Sequence, residues 1–599
     1  MNQLKFHRAV VAIAMMLISW LPSLAHDFEV DGIYYNFTSA SDLTVEVTYK
    51  GDSFYSNGYK DTIVIPTSVT YNNQTLKVTS IGDYAFSYCS SLISIVIPNS
   101  VMSIGDFAFW FCNGLTGIEI PNSITYIGRY TFSDCTSLTS IAIPNSVTNI
   151  GESAFSYCSS LTSIVIPNSV TSIGDFAFWF CNGLTSIEIP NSVTSIGRCA
   201  FSDCISLTSI EIPNSVTTIR HKAFSDCTGL TNVVWNVKKC FDFPDSGESP
   251  FNNSSNITTF TFGDSVEHIP AYLCHAMSKL TDIVIPNSVT RIGDHAFQGC
   301  SDLRSIEIPN SVTSIGRWAF ASCESLTSIE IGNSVTSIGH RAFSYCESLT
   351  HIEIPINVTS IGERAFSNCI GLTSVVWNVK KCYDFVYVWT RPFIDSPNII
   401  SFTFGDSVEY IPAYLCYEMS VLTNLEIPDC VTSIGESAFG NGENLAIVTL
   451  GNSVTSIGKD AFKGCDNIEK IDSKADKAPI IANEDQFSEN VYTNADLFVP
   501  IGYEDNYKYA YAWSEFHNIT GMDFTGIENV SLSSFYVMVD VDDIIVCDAP
   551  IGSQVAIYSV DGRLVALKTI VDNKTIITPT TKGVYIVSIG GKSFKVMVK

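Results

Sequence analysis

Cysteine recurs along this chain at a fixed step of 23 residues, and that step restricts the fold more than any other feature. Cys89, Cys112, Cys135, Cys158, Cys181, Cys204 and Cys227 keep the interval, and Cys300, Cys323, Cys346 and Cys369 resume it. Around each lies one unit, L-x-x-I-x-I-P-N-S-V-T-S-I-G-x-x-A-F-x-x-C-x-x. A fixed period of this length is the mark of a repeat array and overrides local propensity. The 73 residues from Cys227 to Cys300 are three periods plus four. An insertion near Phe241–Ser249 restores the register, with Phe251, Phe260-Thr261-Phe262-Gly263 and Met277 falling in phase. The same irregular stretch returns 142 residues later, as Trp235-Asn236-Val237-Lys238-Lys239-Cys240 becomes Trp377-Asn378-Val379-Lys380-Lys381-Cys382. The array therefore spans residues 63–471 as 17 rungs, whose cysteine position holds Cys in 12, Met in 2, Ser in 2 and Gly in 1.

Each part of the unit has a mechanical reading. Leu and the I-x-I pair point inward from a short strand whose alternate residues face out. Proline ends the strand, because it donates no ladder hydrogen bond, and Asn-Ser supplies turn chemistry. V-x-x-I starts a second extended piece, Gly allows a corner, and A-F-x-x-C is read as a helical turn with Ala, Phe and Cys inside. One unit alone cannot fold. Its large apolar side chains gain roughly 9–18 kcal/mol on burial, whereas ordering its backbone costs on the order of 23–46 kcal/mol. Stacking supplies the difference. The expected fold is a repeat solenoid, mainly β with short helical turns, followed by a small all-β sandwich.

The unit resembles the BspA-type leucine-rich repeats of surface proteins from Bacteroidota and some mucosal protozoa. The resemblance implies a right-handed coil with a parallel sheet on one face. It also implies adhesion to host matrix proteins or to other bacteria.

The ends of the chain carry different patterns. Lys5 and Arg8, the apolar run Ala9 to Leu21 and Ser23-Leu24-Ala25 read as a secretory signal peptide, residues 1–25, cut after Ala25. Residues 26–62 form a β-hairpin cap, in which Asp31–Phe37 and Leu43–Tyr49 alternate like paired strands and shield the first rung's edge. Residues 472–526, with Leu497-Phe498-Val499-Pro500, Tyr507, Tyr511, Trp513 and Phe516, form an aromatic C-terminal cap. Residues 527–599 carry short alternating strands and a hairpin centred on Asp561-Gly562. This last segment resembles the sorting domain of the type IX secretion system, through Ser559-Val560-Asp561-Gly562-Arg563, Lys582-Gly583-Val584-Tyr585-Ile586-Val587 and the basic end Lys595 to Lys599. Together these features place the protein outside the cell, at the outer surface or secreted, with no transmembrane helix in the mature chain.

The net charge of -27 argues against nucleic acid as a partner, because phosphate contact needs clustered Lys and Arg. Nineteen cysteines in an exported chain would ordinarily suggest disulfides. A ladder position that also takes Met, Ser and Gly is instead a packing site, so buried free thiols are expected there, with pairing left open for Cys240, Cys274, Cys382, Cys416 and Cys430. No C-x-x-C, H-E-x-x-H, phosphate loop or nucleophile elbow occurs. Glu119, Glu188, Glu211, Glu307, Glu330, Glu353 and Glu426 share one outward column, which is read as a solvated face rather than a calcium or paired-acid site. No catalytic residue, metal site or cofactor is therefore expected, and the protein is not read as an enzyme.

One outward feature stands above this background. Asp106-Phe107-Ala108-Phe109-Trp110-Phe111-Cys112 returns as Asp175-Phe176-Ala177-Phe178-Trp179-Phe180-Cys181. Phe107, Trp110, Phe111, Phe176, Trp179 and Phe180 are the candidate partner-binding residues, because exposed Trp and Phe are enriched at contact surfaces. The alternative is that these rings pack on one another. The expected function is a binding or adhesion protein presenting a long solenoid surface to a host matrix or cell-surface protein or glycan. A structural surface-layer or spacer protein is the second reading.

Overall fold

In the first rungs a Leu and an Ile point inward from one strand, and the next rung repeats them one strand spacing away. The computed structural model describes residues 26–524 and the segments 536–540, 543–547, 554–559, 563–571, 574–579, 583–589 and 592–598. The leader at 1–25, the Ile527 boundary, the Asp561-Gly562 turn and Lys599 lie outside the described residues. The chain divides into two compact units, one ending at Gly521 and one beginning at Met522.

In the first unit the coil makes about 19 turns. Two parallel ladders run along it. In the first, strands such as Ser140–Ala142, Ser163–Val165 and Ser186–Glu188 pair in a register that advances by one period per rung. In the second, Asn149–Ile150, Ser172–Ile173, Ser195–Ile196 and Thr218–Ile219 do the same. Alternation decides the facing: Ile164 and Ile187 are buried while Val165 and Glu188 are exposed. The coil continues beyond the 17 rungs counted from the cysteine position. Lys470–Ser473 pairs with Asp496–Pro500, Ile480–Ile481 extends the second ladder, and Phe487 stacks on Phe462 at 5.6 Å. The consensus had dissolved there although its inward column had not.

The segment read as a helical turn is built differently. Trp110 N donates to Phe107 O at 3.1 Å and Cys112 N to Phe109 O at 3.2 Å, closing two consecutive reverse turns. The amides between them, Phe107, Phe109 and Phe111, donate to Arg129, Thr131 and Ser133 of the next rung at 2.8, 2.9 and 3.0 Å. Half the donors thus close turns and half knit rungs together, which a helix would not allow because its amides bond within the segment. The geometry requires a left-handed residue before Ala and another before Cys, and most of these are not glycines: φ is 59° at both Phe107 and Phe111, with Gly299 and Gly464 the glycines before Cys300 and Cys465. The consensus Gly has another purpose. A Cβ on Gly174 would lie 2.6 Å from the Gly151 carbonyl carbon, so the bare backbone permits close rung-to-rung approach.

Inside, like stacks on like. Phe86, Phe109, Phe132, Phe155, Phe178, Phe201 and Phe224 form one column, with centroids 5.1–5.4 Å apart. The cysteines form a second column, and from Cys112 to Cys227 each thiol donates to the phenylalanine carbonyl of the preceding rung, as Cys158 Sγ does to Phe132 O at 3.1 Å. Ser254 and Ser396 occupy the same slot and donate to Phe224 and Phe366 carbonyls, each at 2.9 Å. Cys274 and Cys416 take the phenylalanine position of their rungs. The carbonyl of Cys274 accepts from Cys300 Sγ at 3.2 Å, the role that Phe has elsewhere. Phe262 and Phe404 compensate for the lost volume, meeting Phe297 and Phe439 edge-on. The cysteines from Cys89 to Cys465 are all free thiols, Cys240, Cys274, Cys382, Cys416 and Cys430 included.

At the N-terminal end Phe28–Val30, Ile33–Ser39 and Thr44–Thr48 form an antiparallel group, and Thr44–Thr48 pairs in parallel with Gln74–Ile81. That pairing continues the second ladder through Ser80–Ser103, so the sheet edge is covered. At the other end Tyr507, Trp513 and Phe516 are buried. Among the described residues the second unit has antiparallel strands in two sheets. Tyr536–Asp540, Asp543–Cys547 and Lys574–Ile577 make one; Leu564–Thr569, Gln554–Ser559, Gly583–Ile589 and Lys592–Val598 make the other. Ile544, Val546, Val555, Ile557, Tyr585 and Val587 form its core.

Burial pushes the ladder thiols up from about 9; Cys181, Cys227, Cys300 and Cys369 reach about 12. A raised folded-state value keeps its full stabilisation below pH 9 and loses it as pH climbs toward 12. Each such thiol should erode stability by up to about 1.4 kcal/mol per pH unit in that window. Urea midpoints measured between pH 8 and pH 11 should therefore fall steeply, and Cys181→Ser with Cys227→Ser should flatten the fall. Cys158→Ser should itself cost little at pH 7, since Ser254 already makes the equivalent bond. Phe178→Ala, which opens the neighbouring column, should cost about 3–5 kcal/mol. Thiol titration of denatured, unreduced protein should find the ladder cysteines free.

Candidate functional site

The backbone turns outward wherever a rung places a left-handed residue, and those residues form two columns flanking the buried Ala-Phe-Cys run. Phe107 and Phe111 stand in these columns in one rung, Phe176 and Phe180 in another, with φ between 57° and 59°. Trp110 and Trp179 stand between the columns. Most other rungs carry a small residue there, and Ser133, Ser156, Ser202 and Ser225 are buried. A tryptophan cannot fit the serine slot, so it lies across the surface.

All six candidates are half-buried at the surface. They form two clusters of three. Phe107 lies 5.4 Å from Trp110, and Trp110 lies 5.0 Å from Phe111. Phe176, Trp179 and Phe180 repeat those distances. The rings also pack on neighbours in the same columns. Phe107 is sandwiched between Tyr84 and Tyr130 at 4.8 and 4.7 Å, and Phe111 stacks on Tyr88 at 4.9 Å. Phe180 stacks on Tyr157 at 4.9 Å, and the Arg198 guanidinium lies 5.9 Å from the Phe176 centroid. Both sequence readings therefore describe part of the arrangement: the rings face outward, and they pack on one another.

Each indole is fixed by a carboxylate in the next rung. Trp179 Nε1 donates to Asp203 Oδ2 at 3.1 Å, and Ser202 donates to the same oxygen. At Asp134, burial raises the carboxyl above its usual range, while hydrogen bonds from Ser133 and Trp110 act the other way. Fixed, half-exposed aromatic planes lose little conformational entropy on binding, which suits a contact surface.

Column alignment would have added Tyr84, Tyr88, Tyr130 and Tyr157, since they occupy the same two places in the period. A second surface was overlooked. The two insertions share a scaffold: Asp242 and Asp384 accept from the Ala271 and Ala413 amides at 2.8 and 2.9 Å. Their tips differ, with Pro244-Asp245-Ser246-Gly247 in the first and Val386-Tyr387-Val388-Trp389 in the second. Tyr387 and Trp389 are each 52% exposed. An aromatic run replacing turn residues was the signal.

The glutamate column is exposed as read. Glu211 and Glu353 accept from Asn236 and Asn378 at 2.9 and 2.7 Å, so part of the column is hydrogen-bonded within the surface. Among the described residues no group of three His, Cys, Asp or Glu is placed to hold a metal ion, and no helix is long and apolar enough to cross a membrane. A groove of about 1080 Å³ runs along the outer face of the first ladder, lined by Thr403, Glu426, Thr449, Asp406, Asp429 and Lys474 among others.

The family model described as "BspA type Leucine rich repeat region (6 copies)" matches residues 52–164, 148–278, 267–387 and 390–514. Among solved structures, a leucine-rich repeat protein from Bacteroides ovatus is 28% identical, with 75% of this chain and 95% of that one covered and a TM-score of 0.35. A leucine rich cell surface protein from Faecalibacterium prausnitzii is 29% identical, with 65% and 96% covered and a TM-score of 0.36. The leucine rich repeat protein of T. pallidum is also 29% identical, covering 34% of this chain and 90% of its own, with a TM-score of 0.29. No curated protein matches the chain.

Because the six rings sit on the surface, truncating them opens no core cavity. Trp110→Ala with Trp179→Ala should cost about 1–2 kcal/mol per site, clearly less than Phe178→Ala, when unfolding midpoints are compared.

Proposed function

The chain belongs to the BspA-type leucine-rich repeat proteins, and from that premise we propose that it is an extracellular binding protein whose solenoid surface holds a protein or glycan partner. The observation that carries this reading is the clustering of outward departures from the consensus. Phe107, Trp110 and Phe111 deviate together in one rung and Phe176, Trp179 and Phe180 in another, at identical places in the period. Inward positions, by contrast, keep one residue type nearly throughout. Placing Trp where buried Ser suffices brings no core gain, whereas large rigid aromatics are the residues that dominate binding surfaces. The mutual packing of these rings favours the spacer reading, and the same experiment separates the two.

Residues 1–25 act as the export signal, and the unit from residue 527 as a sorting domain for type IX secretion. The motif residues Arg563 and Gly583 to Val587 support this, lying in or beside paired antiparallel strands. The mature chain then starts at His26.

Binding of the full chain to a panel of immobilised extracellular-matrix proteins should yield at least one partner. Trp110→Ala with Trp179→Ala should weaken it by about tenfold or more, as loss of hot-spot residues does. Intact binding with a large drop in unfolding midpoint would assign the rings to packing and favour a spacer. Deleting residues 527–599 should leave the solenoid folded but retained in the periplasm; normal surface display of the truncation defeats the sorting role. Mass spectrometry of the exported protein should find His26 at its N-terminus.

A further inference from the structure

The outward column that displays Phe107 changes character further along the coil. On three successive rungs it holds Trp318, Arg341 and Arg364, left-handed at φ 55°, 52° and 59°. The Arg341 guanidinium lies over the Trp318 ring at 4.6 Å. Arg364 Nε donates to the Trp389 carbonyl at 2.9 Å, and Trp389 stacks on Tyr387 at 4.7 Å with 11° between the planes. Arg317 stands exposed beside Trp318. The result is a contiguous strip of guanidiniums bordered by aromatic faces.

Two features set this strip apart in a chain of net charge -27. Among the described residues, Arg317, Arg341 and Arg364 have no carboxylate within ion-pair distance, whereas Arg129, Arg220, Arg291 and Arg391 each have one. Arg198 and Arg304 also lack one, but each stands alone, and here three such arginines fall on neighbouring rungs. Their charges are felt locally: burial first, then Arg341 and Arg317, hold His340 below the usual imidazole range, against the opposing pull of Glu363. Second, the aromatic tip is not needed to hold its loop. The first insertion keeps the same Asp-to-amide anchor and the same buried serine with Pro244, Asp245, Ser246 and Gly247 at its tip. Exposed Tyr387 and Trp389 therefore have no scaffold motive, and unpaired arginines beside them have no pairing motive.

We propose that Arg317, Trp318, Arg341, Arg364, Tyr387 and Trp389 form a binding strip for an anionic polysaccharide carrying carboxylate or sulfate groups. A guanidinium fork matches either group bidentately. Successive rungs step by about 4.8 Å along the coil, so a linear polyanion lying along the axis meets the arginines in turn. The outer faces of the stacked Tyr387 and Trp389 rings take the apolar faces of sugar rings, a surface that an acidic peptide does not offer, while Trp318 holds the Arg341 guanidinium over its own face. The acidic remainder of the chain repels a polyanion and confines it to the strip. This site is separate from the aromatic rungs at 107–111 and 176–180, so either can fail without the other.

The test is calorimetric titration of the full chain with size-fractionated heparin, with neutral dextran and poly-glutamate as comparison probes. Heparin should bind, with affinity falling as salt rises, and dextran should not. Arg341→Gln with Arg364→Gln should weaken heparin binding by about tenfold or more, and Trp389→Ala by several-fold. Glu363→Gln, which removes the carboxylate beside Arg364 that opposes the arginines at His340, should tighten it, a gain that misfolding cannot produce. Unfolding midpoints of the variants confirm that each is folded. The proposal is overturned if heparin does not bind, or if the arginine pair and Glu363 can be changed without effect. Poly-glutamate binding as tightly as heparin, indifferent to Trp389→Ala, would reassign the strip to acidic peptides and overturn it equally.

Discussion

Rung-to-rung registry is the constraint on which everything else rests. A single coil of this chain has too little core to fold, so its inward side chains must find their partners in the coils before and after it. The phenylalanine column supplies parallel-stacked rings about one strand spacing apart, and the cysteine column ties each rung to the last through a thiol-to-carbonyl hydrogen bond. Both contacts need the same residue type at the same place every period. The paired turns add a backbone requirement, since alternate amides reach across to the next rung. Substitution inside the coil is thereby limited to residues that preserve volume and donor, as Ser254 does, or to exchanges balanced elsewhere, as Cys274 is by Phe262.

The same constraint leaves the outside free. Most of the left-handed residues before Ala and Cys point away from the core, so their side chains pack on one another rather than within it, while the ladder fixes their backbone. The columns accept Tyr, Phe, Asp, Lys, Arg, Trp or His without altering the path of the chain. A surface of this kind can be decorated rung by rung, and the decoration is not random along the coil. Aromatic rungs lie near the N-terminal end, and the arginine and tryptophan strip lies beside the second insertion. The insertions show the principle most clearly: one anchor, one backbone path, and two tips with different chemistry.

Much of this was legible in the sequence, because periodicity reports directly on stacking. The 23-residue step, the four-residue insertions, the inward Leu and Ile, the free ladder thiols and the outward glutamates all follow from which positions vary and which do not. Reading stopped short where the consensus failed but the geometry did not. Phe487 extends the ring column after the cysteine pattern has ended, since a stack needs only a ring at the right height. Cys274 and Cys416 read as stray cysteines, because their role depends on Phe262 and Phe404 filling space that no local pattern describes.

The sequence alone thus determined the repeat, the inside and outside of each rung, and the rungs that depart from the pattern. Only the tertiary structure decided how A-F-x-x-C is folded. Its choice of paired reverse turns over a helix comes from hydrogen bonds to a neighbouring rung, and those partners lie 22 residues away. It also decided that Gly174 is required for close approach rather than for a corner. Finally, it joined Arg341 and Arg364 to Trp389 in one strip, because residues separated by a period in the chain are neighbours on the surface only once the coils are stacked.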